Sequence, residues 1–297
     1  MSNLLTFEEF CLNIKDLLQD EYSDDVVIRE AVVHKNNNVT FRGVSMNTSG
    51  SNISPVIYLE SYHSQFSKGR SLTEIVKEIQ SILEEMSPKE DFDISCVTHW
   101  ETAKDHVVCR LVNYELNKEM LESVPHWRFL DLVILFYYQV SADSNGAANT
   151  LIHNAIFEDW GISLDELYLQ AKSNTQKLLG CKFSSLNNVL KEVTSEELSM
   201  TDDNMQMYVL TNRYNMNGAY TMLFDNVIKD ISDNLNSDLF ILPSSVHELL
   251  IVPAISGTDK EEFDFMVKAV NASELKPEDI LSDHAYRYNR STNSITM

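Results

Sequence analysis

Basic residues are scarce in this chain: 23 Lys and Arg stand against 45 Asp and Glu, a formal net charge of −22 over 297 residues. Phosphate contacts need clustered Lys and Arg, so the shortage argues against a protein held to nucleic acid or anionic lipid by a basic face. Cysteine is sparse and shows no pairing pattern. Cys11, Cys96, Cys109 and Cys181 form neither a CxxC nor any short spacing, which excludes a zinc knuckle or dithiol motif and leaves reduced thiols as the expectation. Long apolar runs are missing too. The longest, LVILFYY at 132–138, is far short of the roughly 20 residues a membrane helix needs. The opening MSNLLTFEEFCLNIKDLL has acidic residues and no basic region ahead of an apolar core, so no signal peptide is expected and the predicted location is cytoplasmic. Proline and glycine number only 6 and 8. That is too few for a long flexible linker, and no repeat period is visible.

What is present is a chain able to build a sizeable core, with 43% hydrophobic residues. Its carboxylates are dispersed in pairs such as Glu84 with Glu85 and Asp202 with Asp203, the pattern of a solvated surface. Four helix starts are predicted where Ser or Thr precedes Glu by three residues: Thr6 and Glu9, Ser71 and Glu74, Ser163 and Glu166, Thr258 and Glu261. In such a capping box, hydroxyl and carboxylate satisfy free backbone N–H groups at the helix start. Phe7, Phe10, Cys11, Ile14, Leu17 and Leu18 form the buried stripe of one helix. Leu72, Ile75, Val76, Ile79, Ile82, Leu83 and Met86 form that of another. Between them DVVIREAVVHKNNNVTFRGVSM reads as a hairpin turning at Asn36–Asn38, since Asn tolerates left-handed backbone. VVCRLVNYEL, FLDLVILFYYQV and AANTLI are further strand candidates, and a mixed sheet is expected.

The polar stretch 181–204 is the best boundary, predicting an α+β lobe over 1–180 and a second lobe over 205–297. In the second lobe MYVLTNR, DLFILP, ELLIVPAI and AYRYNR read as strands. NGAYTMLFDNVIKDISDNL and KEEFDFMVKAV read as helices, the latter buried through Phe263, Met266, Val267 and Val270. The order β-α-β-β-α-β is that of the split ferredoxin-like arrangement. The fold class expected for the whole chain is α+β, with mixed or antiparallel sheets and packed helices.

PSSVHE, between the two central apolar strands, brings Ser244, Ser245, His247 and Glu248 together. These residue types suit nucleophilic catalysis, in which a serine is activated by an imidazole oriented by an acid. They also suit a turn, because Ser hydroxyls bond nearby backbone and proline ends a strand. Triad members usually come from separate parts of the chain, which favours the turn. A metal reading would add Asp283 and His284 from LSDHAY, but HELLI lacks the second His of a zincin motif and no ligand spacing is diagnostic. No metal is therefore expected. In HWETAKDH, His99, Trp100 and His106 read as an aromatic anchor with surface polar groups. In TNRYNMNGAY, Gly218 stands between a strand and a helix start, where an anion can bind. The absence of GxGxxG and GxxxxGK patterns leaves a turn capped by Asn217 and no expected cofactor.

YVLTNRYNMNGAYTMLF, DLFILPSSVHELLIVP, MVKAVNASELKPEDILSDHAYRYNR and VVCRLVNYELNKEMLESVPHWRFLDLVILFYY resemble, over nearly the whole chain, an uncharacterised bacterial family: the domain of unknown function numbered 5688. The order of elements is also similar, more weakly, to a second uncharacterised bacterial family. The resemblance implies a cytoplasmic bacterial protein folded as one full-length unit, with no assigned catalytic residues. It marks two segments as family hallmarks: Pro243, Ser244, Ser245, His247 and Glu248, and Asn212, Arg213, Tyr214, Asn217, Gly218 and Ala219; of the second, Asn212, Arg213, Tyr214, Asn217 and Gly218 are the binding candidates. Two functions follow. One is a non-enzymatic acidic binding or regulatory protein that engages a protein partner, itself a nucleic-acid binder, without touching nucleic acid or membrane. The other is a hydrolase or metal-dependent enzyme using Ser244–Glu248.

Overall fold

The computed structural model describes residues 5–23, 25–48, 54–87, 92–143, 146–194, 206–254 and 259–297. The chain divides into two compact units. The first is Met1–Lys35 with Val39–Ile94, and the second is Asn36–Asn38 with Ser95–Met297. Residues 95–180, assigned from the sequence to the amino-terminal lobe, thus fall in the same unit as 205–297.

The first unit contains α1 (Phe7–Gln19), β1 (Val26–His34), β2 (Thr40–Thr48), β3 (Val56–Tyr58), α2 (Glu60–Ser67) and α3 (Leu72–Met86). Thr6 and Ser71 make complete capping boxes with Glu9 and Glu74. Phe10, Cys11, Ile14 and Leu18 of α1 join Ile75, Val76, Ile79 and Leu83 of α3 in one core with Ile28, Val44 and Ile57 of the sheet. Leu17 and Met86, expected in the same stripes, are exposed. The expected hairpin is present: β1 pairs antiparallel with β2 from Val26↔Thr48 to His34↔Thr40. Asn37 and Asn38 take φ values of 59° and 58° at its turn.

The second unit begins with α4 (Ser95–Thr98), α5 (Trp100–Ala103), β4 (Val107–Asn113), α6 (Lys118–Leu121), β5 (His126–Phe129), β6 (Leu132–Asp143) and β7 (Gly146–Leu151). Long β6 pairs with β4 along one edge, and with β5 and then β7 along the other. α7 (Asn154–Trp160) and α8 (Leu164–Leu179) follow. Ser163 caps α8 by accepting from Glu166 N–H. Two polar side chains of α8 bind it to the sheet: Thr175 Oγ1 accepts the Cys109 N–H at 2.7 Å, and Asn174 donates to Val107 O at 2.9 Å. Trp100 packs on Trp160 at 5.1 Å between ring centroids, so the aromatic half of HWETAKDH is an anchor.

Next come β8 (Lys182–Ser185), α9 (Leu186–Thr194), β9 (Tyr208–Thr211), α10 (Val227–Leu235), β10 (Leu239–Leu242), β11 (Leu249–Pro253), α11 (Lys260–Ser273), β12 (Tyr286–Asn289) and β13 (Ser294–Thr296). β8 and α9 therefore occupy the start of the stretch read as a connection, while 195–204 lie outside the described residues. The sheet order is β13-β12-β10-β11-β9-β8. Every pairing among the described strands is antiparallel. The α+β class and the β-α-β-β-α-β order are both present. β12, the last strand of that order, however, lies beside β10, whereas a ferredoxin-like sheet would place it beside the first strand, β9; here β8 holds that position. The apolar run of β10 is buried on both faces, as the centre of a covered sheet requires. Phe240 and Leu242 pack with Val252 against Phe263 and Val267 of α11.

Two helix readings change. The long helix expected from Gly218 is a 3-10 segment, Gly218–Leu223, followed by α10, with Asn226 at φ 65° between them. On α11, Met266 is exposed and Phe265 is 76% exposed. Its cap is Asp259, and Thr258 is outside the described residues.

Candidate functional site: two clasped loops and a polar cleft

β9 and β11 are antiparallel neighbours, with Leu249 opposite Leu210. The loop that leaves β9 and the loop that enters β11 therefore emerge at the same end of the sheet. This register brings together the two segments singled out in the sequence, 212–219 and 243–248. The His247 carbonyl accepts from Thr211 Oγ1 at 2.7 Å and from Gly218 N–H at 2.9 Å, and the Val246 carbonyl accepts from Ala219 N–H at 3.2 Å. Gly218 is required by this approach: a Cβ there would stand 2.1 Å from Thr211 Oγ1 and 2.6 Å from the His247 carbonyl oxygen.

Asn212 holds the first loop in shape. Its buried side chain accepts the Tyr214 N–H at 3.0 Å and donates to Met216 O at 2.7 Å, an Asx arrangement that substitutes for backbone pairing. Asn215 and Asn217 take left-handed φ values of 54° and 52°, which Asn tolerates better than most residues. Arg213 is exposed; its backbone N–H donates to Leu179 O at 3.1 Å, and its guanidinium lies against Gly180.

The imidazole of His247 is committed on both sides. Nδ1 accepts the Asn217 backbone N–H at 3.1 Å, and Nε2 faces Asp279 Oδ1 at 3.2 Å. A nitrogen that accepts carries the lone pair, so the proton resides on Nε2 and is donated to Asp279. Ser245 Oγ, on a buried residue, accepts the His247 backbone N–H at 3.0 Å. Neither Ser244 nor Ser245 has a hydrogen bond to the ring among the described residues. The arrangement cannot run a triad as it stands, because the lone pair that would take a serine proton is already engaged. His247 and Glu248 lie in the bend ahead of β11 rather than on the strand.

Asp283 and His284 belong to another cluster. His284 Nδ1 lies 3.0 Å from Asp283 Oδ1, and Nε2 lies 3.8 Å from Asp131 Oδ1, which accepts the Tyr286 hydroxyl at 2.8 Å. His247 and His284 thus have separate carboxylate partners. Among the described residues no group of three His, Cys, Asp or Glu is placed to hold a metal ion. Burial pushes the Cys109 thiol up to about 12 and raises that of Cys11, which leaves both poor nucleophiles.

Glu248 opens onto a cleft of about 240 Å³ lined by Lys182, Ser184, Val189, Val209, Thr211, Asn215 and Glu248. Among the described residues its carboxylate has neither a hydrogen bond nor an ion pair. Of the cleft residues only Glu248 was singled out as a candidate from the sequence. Asp279, the partner of His247, was also missed; Pro277 marked its turn, but nothing in the sequence tied that turn to a histidine 32 positions earlier.

Fold and site together define an α+β protein of antiparallel sheets whose two marked loops clasp one another beside a cleft of mixed polar and apolar lining. The chain belongs to the family described as "Family of unknown function (DUF5688)", whose sequence model matches residues 7–290. Comparison with curated proteins and with solved structures gave no match. Among the described residues no helix is long and apolar enough to cross a membrane.

Proposed function

We propose that this is a non-enzymatic, acidic binding or regulatory protein that acts through protein–protein contacts on a partner with a basic, nucleic-acid-binding surface. The observation that carries the reading is the state of His247, whose two ring nitrogens are both spent on holding loops together. Those two bonds support a structural role for the cluster. The second support is the net charge of −22, which favours encounter with a basic surface and makes the contact salt-sensitive.

The competing reading, a hydrolase or metal-dependent enzyme built on Ser244, Ser245, His247 and Glu248, is tested by the same preparation. The full chain is assayed against ester, amide and phosphoester substrates with and without divalent metal. In parallel, a basic protein captured from the source cells is purified and its binding is measured as salt is raised. The expected result is no turnover together with a complex that dissociates with salt. Turnover abolished by Ser245→Ala or His247→Ala would overturn the proposal.

A further inference from the structure

We infer that the cleft beside the clasped loops is the receptor for a single basic side chain, Lys or Arg, of a protein partner. The inference rests on the reading above for the source of that side chain, and on four features of the cleft for its chemistry. The first is size. At about 240 Å³ the cleft falls below the roughly 300–1,000 Å³ of small-molecule sites, and it matches one long side chain better than a cofactor.

The second feature is charge. Glu248 brings a carboxylate that makes no hydrogen bond or ion pair among the described residues, while Lys182 of the same lining is engaged in an interaction of its own. Among the described lining residues Glu248 is thus the fully charged acceptor open to an incoming donor. The third feature is the polar lining. Thr211 lines the cleft with its hydroxyl turned to the His247 carbonyl, and Asn215 and Ser184 supply an amide oxygen and a hydroxyl that can accept from an incoming donor. A guanidinium or ammonium head brings only donors, which suits this set of acceptors.

The fourth feature is apolar: Val189 and Val209 line the same cleft, offering surface to the aliphatic stem that Lys and Arg bury while their heads stay polar. Rigidity completes the case. Thr211 is held by its bond to the His247 carbonyl, and the Glu248 backbone by the Ser245 N–H and by its place next to the first registered pair of β11 with β9, so the hydroxyl and the root of the carboxylate are placed before a ligand arrives.

The test uses the full chain labelled with 15N and two neutralised amino-acid probes, Nα-acetyl-L-arginine amide and Nα-acetyl-L-glutamate amide. The arginine probe is expected to give saturable shifts of the Thr211, Asn215 and Glu248 amides. Affinity should fall at least about tenfold in Glu248→Gln, since a charge-assisted hydrogen bond is lost, and hold or rise in Lys182→Gln. The glutamate probe is expected to give no saturable shift. Absence of saturation with the arginine probe, equal affinity in Glu248→Gln, or preference for the glutamate probe each overturns the inference. The two proposals fail separately. A basic partner that binds wild type and Glu248→Gln alike removes the cleft but keeps the binding reading. A cleft that takes the arginine probe in a protein that hydrolyses substrate through His247 does the reverse.

Discussion

Gly218 leaves no room for a methyl group, because the Cβ of any other residue would meet Thr211 Oγ1 at 2.1 Å and the His247 carbonyl at 2.6 Å. Gly218→Ala is therefore expected to cost about 3 kcal/mol or to prevent folding of the second unit, since overpacking of a fixed site commonly costs 1–3 kcal/mol; urea denaturation checks it. His247→Ala removes an acceptor and a donor at once and is expected to cost about 1–2 kcal/mol, discounted because ring and carboxylate are both part-exposed. Asp279→Asn keeps an acceptor for Nε2–H and should cost less than half as much. At this scale the sequence singled out segments and said little about what they contact. Ser244–Glu248 and Asn212–Gly218 were legible as unusual segments, but their contact depends on a strand register. The bond from His247 to Asp279 depends on a turn 32 residues away, and no local pattern carries either.

Helix starts were the most legible elements. Thr6 with Glu9 and Ser71 with Glu74 form the expected reciprocal bonds, because a capping box is satisfied within one turn and needs nothing from the rest of the fold. Thr6→Ala and Ser71→Ala are each expected to destabilise the first unit by about 1 kcal/mol. The double variant should lose roughly the sum, as separate caps do not share partners; thermal unfolding followed by circular dichroism measures this. The segment after Gly218 was misread for the opposite reason. Its apolar spacing over Ala219, Tyr220, Leu223 and Phe224 suits a helix, yet Ala219, Tyr220, Thr221 and Met222 are all buried. A segment buried all round has no solvent face from which to read a period. The order of strands was legible and their neighbours were not, because the place of β8 beside β9 is decided by pairing across distance.

Charge acts at the scale of the whole molecule. With a net charge of −22 the folded chain repels itself, so raising NaCl from about 0.01 to 0.2 M at neutral pH is expected to increase the melting temperature by screening. Acid has its own signature. Burial pushes the Asp264 carboxyl up, but Lys260 and the Ala285 N–H outweigh it and hold the group below the usual carboxylate range. Lys229 and then Arg290 do the same for Asp233. Groups depressed in the folded state contribute stability above the unfolded carboxylate value, and that stability is lost as pH falls through the folded one. Unfolding free energy should therefore decline from about pH 4 downward, and Asp264→Asn should flatten that decline.

His247 holds two loops together through both ring nitrogens, and the 15N and 1H spectrum of its imidazole at neutral pH reads that directly. The expected spectrum has the proton on Nε2 and a non-protonated Nδ1 that accepts from the Asn217 amide. A proton on Nδ1, with Nε2 left free to accept from a serine hydroxyl, would contradict it.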